Sequence, residues 1–215
     1  GKDVEESTTS ATSGALAEGS WYVHVCAVDN AGTWSAIRTA GPFVVDSAAP
    51  AGDGRLYVTD WGLGQVLRYQ EDGTGRATLA SGLATPHEIT IDPVNGKLYG
   101  GESGSATIKR SNLDGSGVEV VVTGATGIFG VAVDAPAGRI YWTEYSTGRL
   151  RRSNLDGTGV TDILTGLAGP NGIALDRAAG KLYWGNNSSG TVQRVNTDGT
   201  DSQVIASSTS ACDVD

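Results

Sequence analysis

Apolar and polar residues alternate along this chain in short runs. Ile89/Ile91, Val131/Val133 and Ile173/Leu175 each turn one face toward an interior, and each run ends in an aspartate: Asp92, Asp134 and Asp176. A tight turn follows, as in Pro93-Val-Asn-Gly96 or Ala178-Ala-Gly180. Alternation over so few residues predicts half-buried strands. A second run starts at Tyr57, Tyr99, Tyr141 and Tyr183, and a third covers Val66–Tyr69, Thr107–Ser111, Arg149–Ser153 and Thr191–Val195. The turns Asp72-Gly73, Asp114-Gly115, Asp156-Gly157 and Asp198-Gly199 lead into a fourth, such as Val118–Thr123, and Asp-Gly suits hairpin turns. No segment carries a helical period.

The runs repeat. Tyr57-Val-Thr-Asp, Tyr99-Gly-Gly-Glu, Tyr141-Trp-Thr-Glu and Tyr183-Trp-Gly-Asn stand 42 residues apart, as do Arg68, Arg110, Arg152 and Arg194 and the Asp-Gly turns. A period of about 40–45 residues with four short strands per unit marks the blade of a β-propeller. Residues 51–215 therefore read as four propeller repeats, part of a larger propeller, in an all-β protein. That architecture shifts the functional expectation from catalysis toward binding.

The segments Gly138-Arg-Ile-Tyr-Trp-Thr-Glu144, Arg152-Ser-Asn-Leu-Asp-Gly-Thr-Gly159 and Gly169-Pro-Asn-Gly-Ile-Ala-Leu-Asp176 resemble the YWTD propeller repeat of the low-density-lipoprotein-receptor type. The resemblance implies an aspartate at the fourth motif position that hydrogen-bonds between neighbouring blades. Here that position is Asp60, then Glu102, Glu144 and Asn186. It also implies six blades, against four in this chain. The first repeat lacks an evident inner strand unless Phe43–Val45 serves, and Ala211-Cys-Asp-Val-Asp215 reads as the inner strand of a further blade.

Residues 1–50 fall outside the register. Trp21-Tyr-Val-His-Val-Cys-Ala-Val-Asp29 alternates, Asn30-Ala-Gly32 supplies a hairpin turn, and the stretch closes at Gly41-Pro-Phe-Val-Val-Asp46. This run resembles the last strands of the fibronectin type III-like modules of bacterial extracellular proteins, a partial β-sandwich without its first strands. Alternation puts Cys26 on the outer face. With Cys212 it makes no disulfide framework, though a bridge between the two is open.

The whole chain has 215 residues, 39% apolar, with 32 glycines, which fits a turn-rich β protein. A net charge of −9 argues against nucleic acid as a partner, because phosphates call for a basic surface. No apolar run nears the roughly 18 residues of a membrane span, and no signal peptide is visible. The chain contains no methionine. It reads as a piece of a longer exported polypeptide, extracellular or at the cell surface.

The Asp-Gly turns offer one carboxylate each, too few oxygens for calcium, and read as framework. So do the inner-strand aspartates and third-strand arginines, for which ion pairs and backbone caps between the two sets are expected. Function is sought where the repeats differ. The loops entering the inner strands and those joining second to third strands share one face of a propeller. Register puts Trp61, His87, Glu88, Phe129, Tyr145 and Asn171 there, as a ligand-binding rim rich in the aromatics that anchor interfaces. Ser103, on a rim loop without an aromatic, is expected to be a bystander. The alternative for the aromatics is packing against neighbouring loops.

The best-supported function is a non-catalytic module binding a protein or peptide, with no cofactor. A second reading is a metal-dependent lyase or lactonase at the channel mouth, where propellers with Pro-His-Gly or Pro-Asn-Gly at this position place a metal or general base. Only His87, Glu88 and Asn171 could serve, and Phe129 interrupts them. Nucleophile-elbow, Cys-x-x-Cys, phosphate-loop and dinucleotide motifs are missing. A third reading is structural, with open blade edges pairing copy to copy.

Overall fold

A computed structural model describes residues 19–25, 38–45, 55–70 and 72–207, with side chains for 55–70 and 72–207. Among these, all regular structure is strand, and no helix is long and apolar enough to cross a membrane. The expectations for Cys26, Cys212, the turn Asn30–Gly32 and the strand at 211–215 fall outside the described residues.

Three sheets have four antiparallel strands each, in chain order from inner to outer edge. The second blade holds β6 (Pro86–Asp92), β7 (Lys97–Glu102), β8 (Thr107–Asn112) and β9 (Glu119–Thr123). The third holds β10 (Ile128–Asp134), β11 (Arg139–Glu144), β12 (Arg149–Asn154) and β13 (Thr161–Leu164). The fourth holds β14 (Pro170–Asp176), β15 (Lys181–Asn186), β16 (Thr191–Asn196) and β17 (Gln203–Ser207). The inner strands β6, β10 and β14 lie side by side.

Among the described residues the first blade has three strands: β3 (Arg55–Asp60), β4 (Gln65–Gln70) and β5 (Ala77–Ala80). Upstream, β1 (Gly19–Val25) and β2 (Arg38–Val45) form an antiparallel hairpin. β2 lies beside both β3 and β6 without joining the β3 ladder. It stands where an inner strand of the first blade would, and it is longer than the Phe43–Val45 expected for that role.

The cores lie between blades. Trp142 packs with Ile128, Val131 and Ile140 of its own blade against Ile108 and Val122 of the second. Trp184, Ile173 and Leu182 pack against Tyr141 and Leu150 of the third. Tyr57 and Val66 meet Ile89 and Leu98 at the first junction. Alternation thus buries one face of each strand against the neighbouring sheet. Truncating a buried indole of this kind costs about 3–5 kcal/mol.

The framework positions form backbone caps, as expected, but not the expected ion pairs with one another. Asp92 accepts the backbone N–H groups of Val94 and Asn95, Asp134 that of Ala137, and Asp176 that of Ala179, so each caps its own turn. The arginines do not pair with them. Arg110 Nη1 donates to Leu155 O at 2.9 Å, and Arg152 Nη1 to Thr197 O at 2.9 Å, each across a blade junction. Arg68 reaches Leu113 O at 3.4 Å. A carbonyl has no sequence signature, which is why carboxylates were the expected partners.

Candidate functional site

In every complete blade the start of the inner strand pairs with the end of the second: Pro86 with Glu102, Ile128 with Glu144, Pro170 with Asn186. The chain entering each blade and the turn after its second strand therefore emerge together. Backbone hydrogen bonds tie them. The connection between second and third blades bonds to the turns on both sides, Ala125 N to Ala106 O at 3.0 Å and Tyr145 N to Gly127 O at 2.8 Å. The next connection repeats the pattern, with Leu167 N on Gly148 O and Asn187 N on Gly169 O, both at 2.9 Å. The rim is a hydrogen-bonded belt rather than a set of free loops.

The fourth motif position anchors this belt from below. Glu102 accepts the N–H of Ala84, in the connection from the first blade, at 2.9 Å, and takes Ser105 Oγ from its own turn. Glu144 accepts Thr147 Oγ1 at 2.7 Å, and Asn186 Nδ2 donates to Thr191 Oγ1 at 3.4 Å. The inter-blade bond implied by the family resemblance is present at Glu102. Glu144 and Asn186 bond chiefly within their own blades, to Trp142 Nε1 and Trp184 Nε1.

Three rim aromatics meet. The rings of His87 and Phe129 stack with centroids 4.0 Å apart and planes at 27°. Phe129 and Tyr145 follow at 5.0 Å and 39°. Phe129 thus joins the second and third blades at the rim instead of interrupting a ring of polar groups. Tyr145 continues toward the fourth blade: a Cβ added to Gly169 would stand 3.0 Å from its ring.

His87 Nε2 meets Ser103 Oγ at 3.1 Å, and Ser103 Oγ also reaches Thr85 O at 3.4 Å. Ser103 is accordingly hydrogen-bonded into the cluster. Burial lowers the His87 pKa below the ordinary imidazole value, so the ring stays neutral at pH 7 and can stack without desolvating a charge.

Glu88 and Asn171 take other roles. Glu88 is buried and its Oε2 accepts the N–H of Val131 across the junction at 3.3 Å. A Cβ on Gly130 would stand 2.9 Å from that oxygen, 2.9 Å from Asn171 O and 2.8 Å from Ile173 N. Glycine at 130 therefore lets three blades close together. Thr143 Oγ1 completes the link, accepting Gly130 N–H at 2.9 Å and donating to Asn171 O at 2.5 Å. His87 and Glu88, adjacent on β6, address different partners. Trp61 sits in the turn after β3 at the same end, half exposed. The structure thus brings His87, Phe129 and Tyr145 together, and places the Glu88 carboxylate and the Asn171 carbonyl at the junction beneath.

Among the described residues, no group of three or more His, Cys, Asp or Glu could hold a metal ion. The sequences Asn186-Asn-Ser188 and Asn187-Ser-Ser189 both fit the Asn-x-Ser glycosylation pattern; Asn186 is buried while Asn187 is exposed.

No family model matches the chain, and neither does any curated protein. Solved structures do. A chain in the crystal structure of a nidogen/laminin complex superposes with a TM-score of 0.75 at 19% identity, covering 91% of this chain and 80% of that one. The fold is a β-propeller. A streptogramin B lyase superposes with a TM-score of 0.61 at 16% identity over 72% of this chain. A virginiamycin B lyase from Staphylococcus aureus does so at 0.61 and 20% identity over 77%. This propeller spans about half the length of those lyase chains, 51% and 54%. At such identities the likeness is one of fold alone.

Proposed function

We propose that this chain is a non-catalytic binding module of an exported protein, of the YWTD propeller type, which takes a protein or peptide ligand on its rim. The observation that carries the reading is the stacked His87–Phe129–Tyr145 array on a hydrogen-bonded belt, with Trp61 at the same end. Rigid aromatics lose little conformational freedom on contact and exclude water well. Glu88 and Asn171 position the rim from beneath. A nidogen/laminin complex among the fold neighbours is consistent with this use of the architecture.

Peptides selected from a displayed random library against the intact chain provide a probe. Trp61→Ala and Phe129→Ala are expected to weaken the selected peptides at least about tenfold, the scale of an interface hot spot. Val94→Ala, at an exposed site in the β6–β7 turn at the other end, is expected to change binding less than about twofold. Equal losses for rim and control, measured by titration calorimetry, would exclude the rim. Conversion of virginiamycin B by the wild-type chain, abolished by His87→Ala, would establish the lyase reading that two fold neighbours suggest.

A further inference from the structure

The second blade departs from the third and fourth at one buried position. Tyr141 and Tyr183 are each followed by tryptophan, but Tyr99 is followed by Gly100. Trp142 is wholly buried, 0% exposed, in a nest that includes Ile108, Val122, Ala125, Ile128, Val131 and Ile140. Its Nε1–H donates to Glu144 Oε1 at 3.0 Å, and the Arg151 guanidinium lies 5.8 Å from the ring centroid.

One repeat earlier stand Val66, Ala80, Leu83, Pro86, Ile89 and Leu98, each 42 residues before its counterpart in that nest. Together with Gly100 they line an apolar cleft open on one side between the first and second blades. The polar fittings of the nest are also kept. Glu102 stands for Glu144 and Lys109 for Arg151, and both line the cleft. Glu102 is 3% exposed, and its Oε1 receives Lys109 Nζ at 2.6 Å with no further hydrogen-bond donor among the described residues. Glu144 Oε1, by contrast, takes both Arg151 at 3.1 Å and the indole N–H.

We infer that this cleft is a binding site for a flat heteroaromatic ring with an N–H at its edge, of the indole class. The ring lies where Trp142 lies one repeat later, its N–H on Glu102 Oε1 and the Lys109 ammonium beside its face. The walls have drawn in, since a Cβ on Gly100 would stand 3.1 Å from Ile89 Cγ2. The cleft encloses about 50 Å³, so entry displaces the Ile89 side chain. Isoleucine is compatible with an indole neighbour, as Ile173 and Trp184 show in the fourth blade. A buried carboxylate with an unused acceptor site favours a donor, and a cation over an aromatic face adds attraction. The site is separate from the rim aromatics.

The same chemistry can arrive as a free heteroaromatic or as a tryptophan side chain from a partner. The intact chain is titrated with 5-fluoroindole by fluorine NMR, and with 1-methylindole and N-acetyltryptophanamide by calorimetry. Saturable binding of one fluoroindole per chain is expected, with 1-methylindole about tenfold weaker for want of the N–H. Gly100→Trp is expected to raise the unfolding temperature and abolish fluoroindole binding. Binding of N-acetyltryptophanamide as tight as that of indole assigns the site to a partner's side chain; binding of indole alone assigns it to a small molecule. Absence of saturable fluoroindole binding, or equal affinity for 1-methylindole, overturns the inference, and so does a folded Gly100→Trp variant that still binds. Should that variant fail to fold, the indole and 1-methylindole pair decides.

Discussion

Just before β10 and β14 the backbone turns left-handed at Gly127 and Gly169, with φ of 67° and 68°. The matching residue before β6 is Thr85, at φ 58°. A β-branched residue in that region is strained by about 1–2 kcal/mol. The turn opposite compensates. A Cβ on Gly127 would meet Ser146 Oγ at 2.5 Å, and one on Gly169 would meet Ser188 Oγ at 2.7 Å. At the equivalent place Gly104 faces Thr85, and a Cβ on Gly104 would stand 2.7 Å from Thr85 Oγ1. Each contact holds one side chain, supplied from the connection or from the turn, and at Gly104 the Ala84 carbonyl oxygen also lies 2.9 Å from the added Cβ. Gly104→Ser alone should therefore destabilise the chain by about 1–3 kcal/mol through overpacking. The double variant Thr85→Gly/Gly104→Ser should recover the part of that loss owed to Thr85 Oγ1, with the contact to Ala84 O remaining. Urea unfolding of the four proteins in a double-mutant cycle checks this, and additive effects would refute the shared space.

Between elements, the third-strand arginines act as clamps. Arg152 donates from Nη1 to Thr197 O on the next blade and from Nε to Thr161 Oγ1 on its own outer strand at 3.3 Å. A guanidinium has the fork for both, and an ammonium does not. Arg152→Ala should cost about 1–2 kcal/mol, the loss of a charge-assisted bond discounted for partial exposure. Arg152→Lys should recover no more than about half of it in thermal unfolding. The arginine column itself was plain in the sequence, as were the strands, whose ends fall within a residue or so of expectation: Thr107–Asn112 against Thr107–Ser111, Glu119–Thr123 against Val118–Thr123. Strand limits were legible because alternation and Asp-Gly turns are local signals. The clamp partners were not, since a backbone carbonyl 45 residues away is supplied by blade stacking. Stacking of Phe129 between His87 and Tyr145 was hidden for the same reason. The Gly100 vacancy, by contrast, was written openly in the Tyr99-Gly-Gly-Glu motif, and reading the repeats as columns would have found it.

At the scale of the molecule, blades stacked side by side share stability only with their neighbours, so each junction sets how readily the blades on either side open. The junctions are unequal. Those on either side of the third blade each enclose a tryptophan at 0% exposure, Trp142 and Trp184. The first junction has the cleft at Gly100 instead, and its arginine clamp, Arg68 to Leu113 O, is longer at 3.4 Å than the two at 2.9 Å. Among the described residues the first blade also has only three strands in its ladder. Loss of an indole's packing is on the order of several kcal/mol, larger than any difference among exposed hairpin turns. Native-state hydrogen exchange should therefore show β3–β5 opening at a lower free energy than β10–β13, with the third blade exchanging through the most global event. Gly100→Trp, by filling the first junction, should slow exchange in β3–β5 selectively and leave β14–β17 unchanged. Uniform protection across all blades would mean that the missing indole carries no weight in how the propeller holds together.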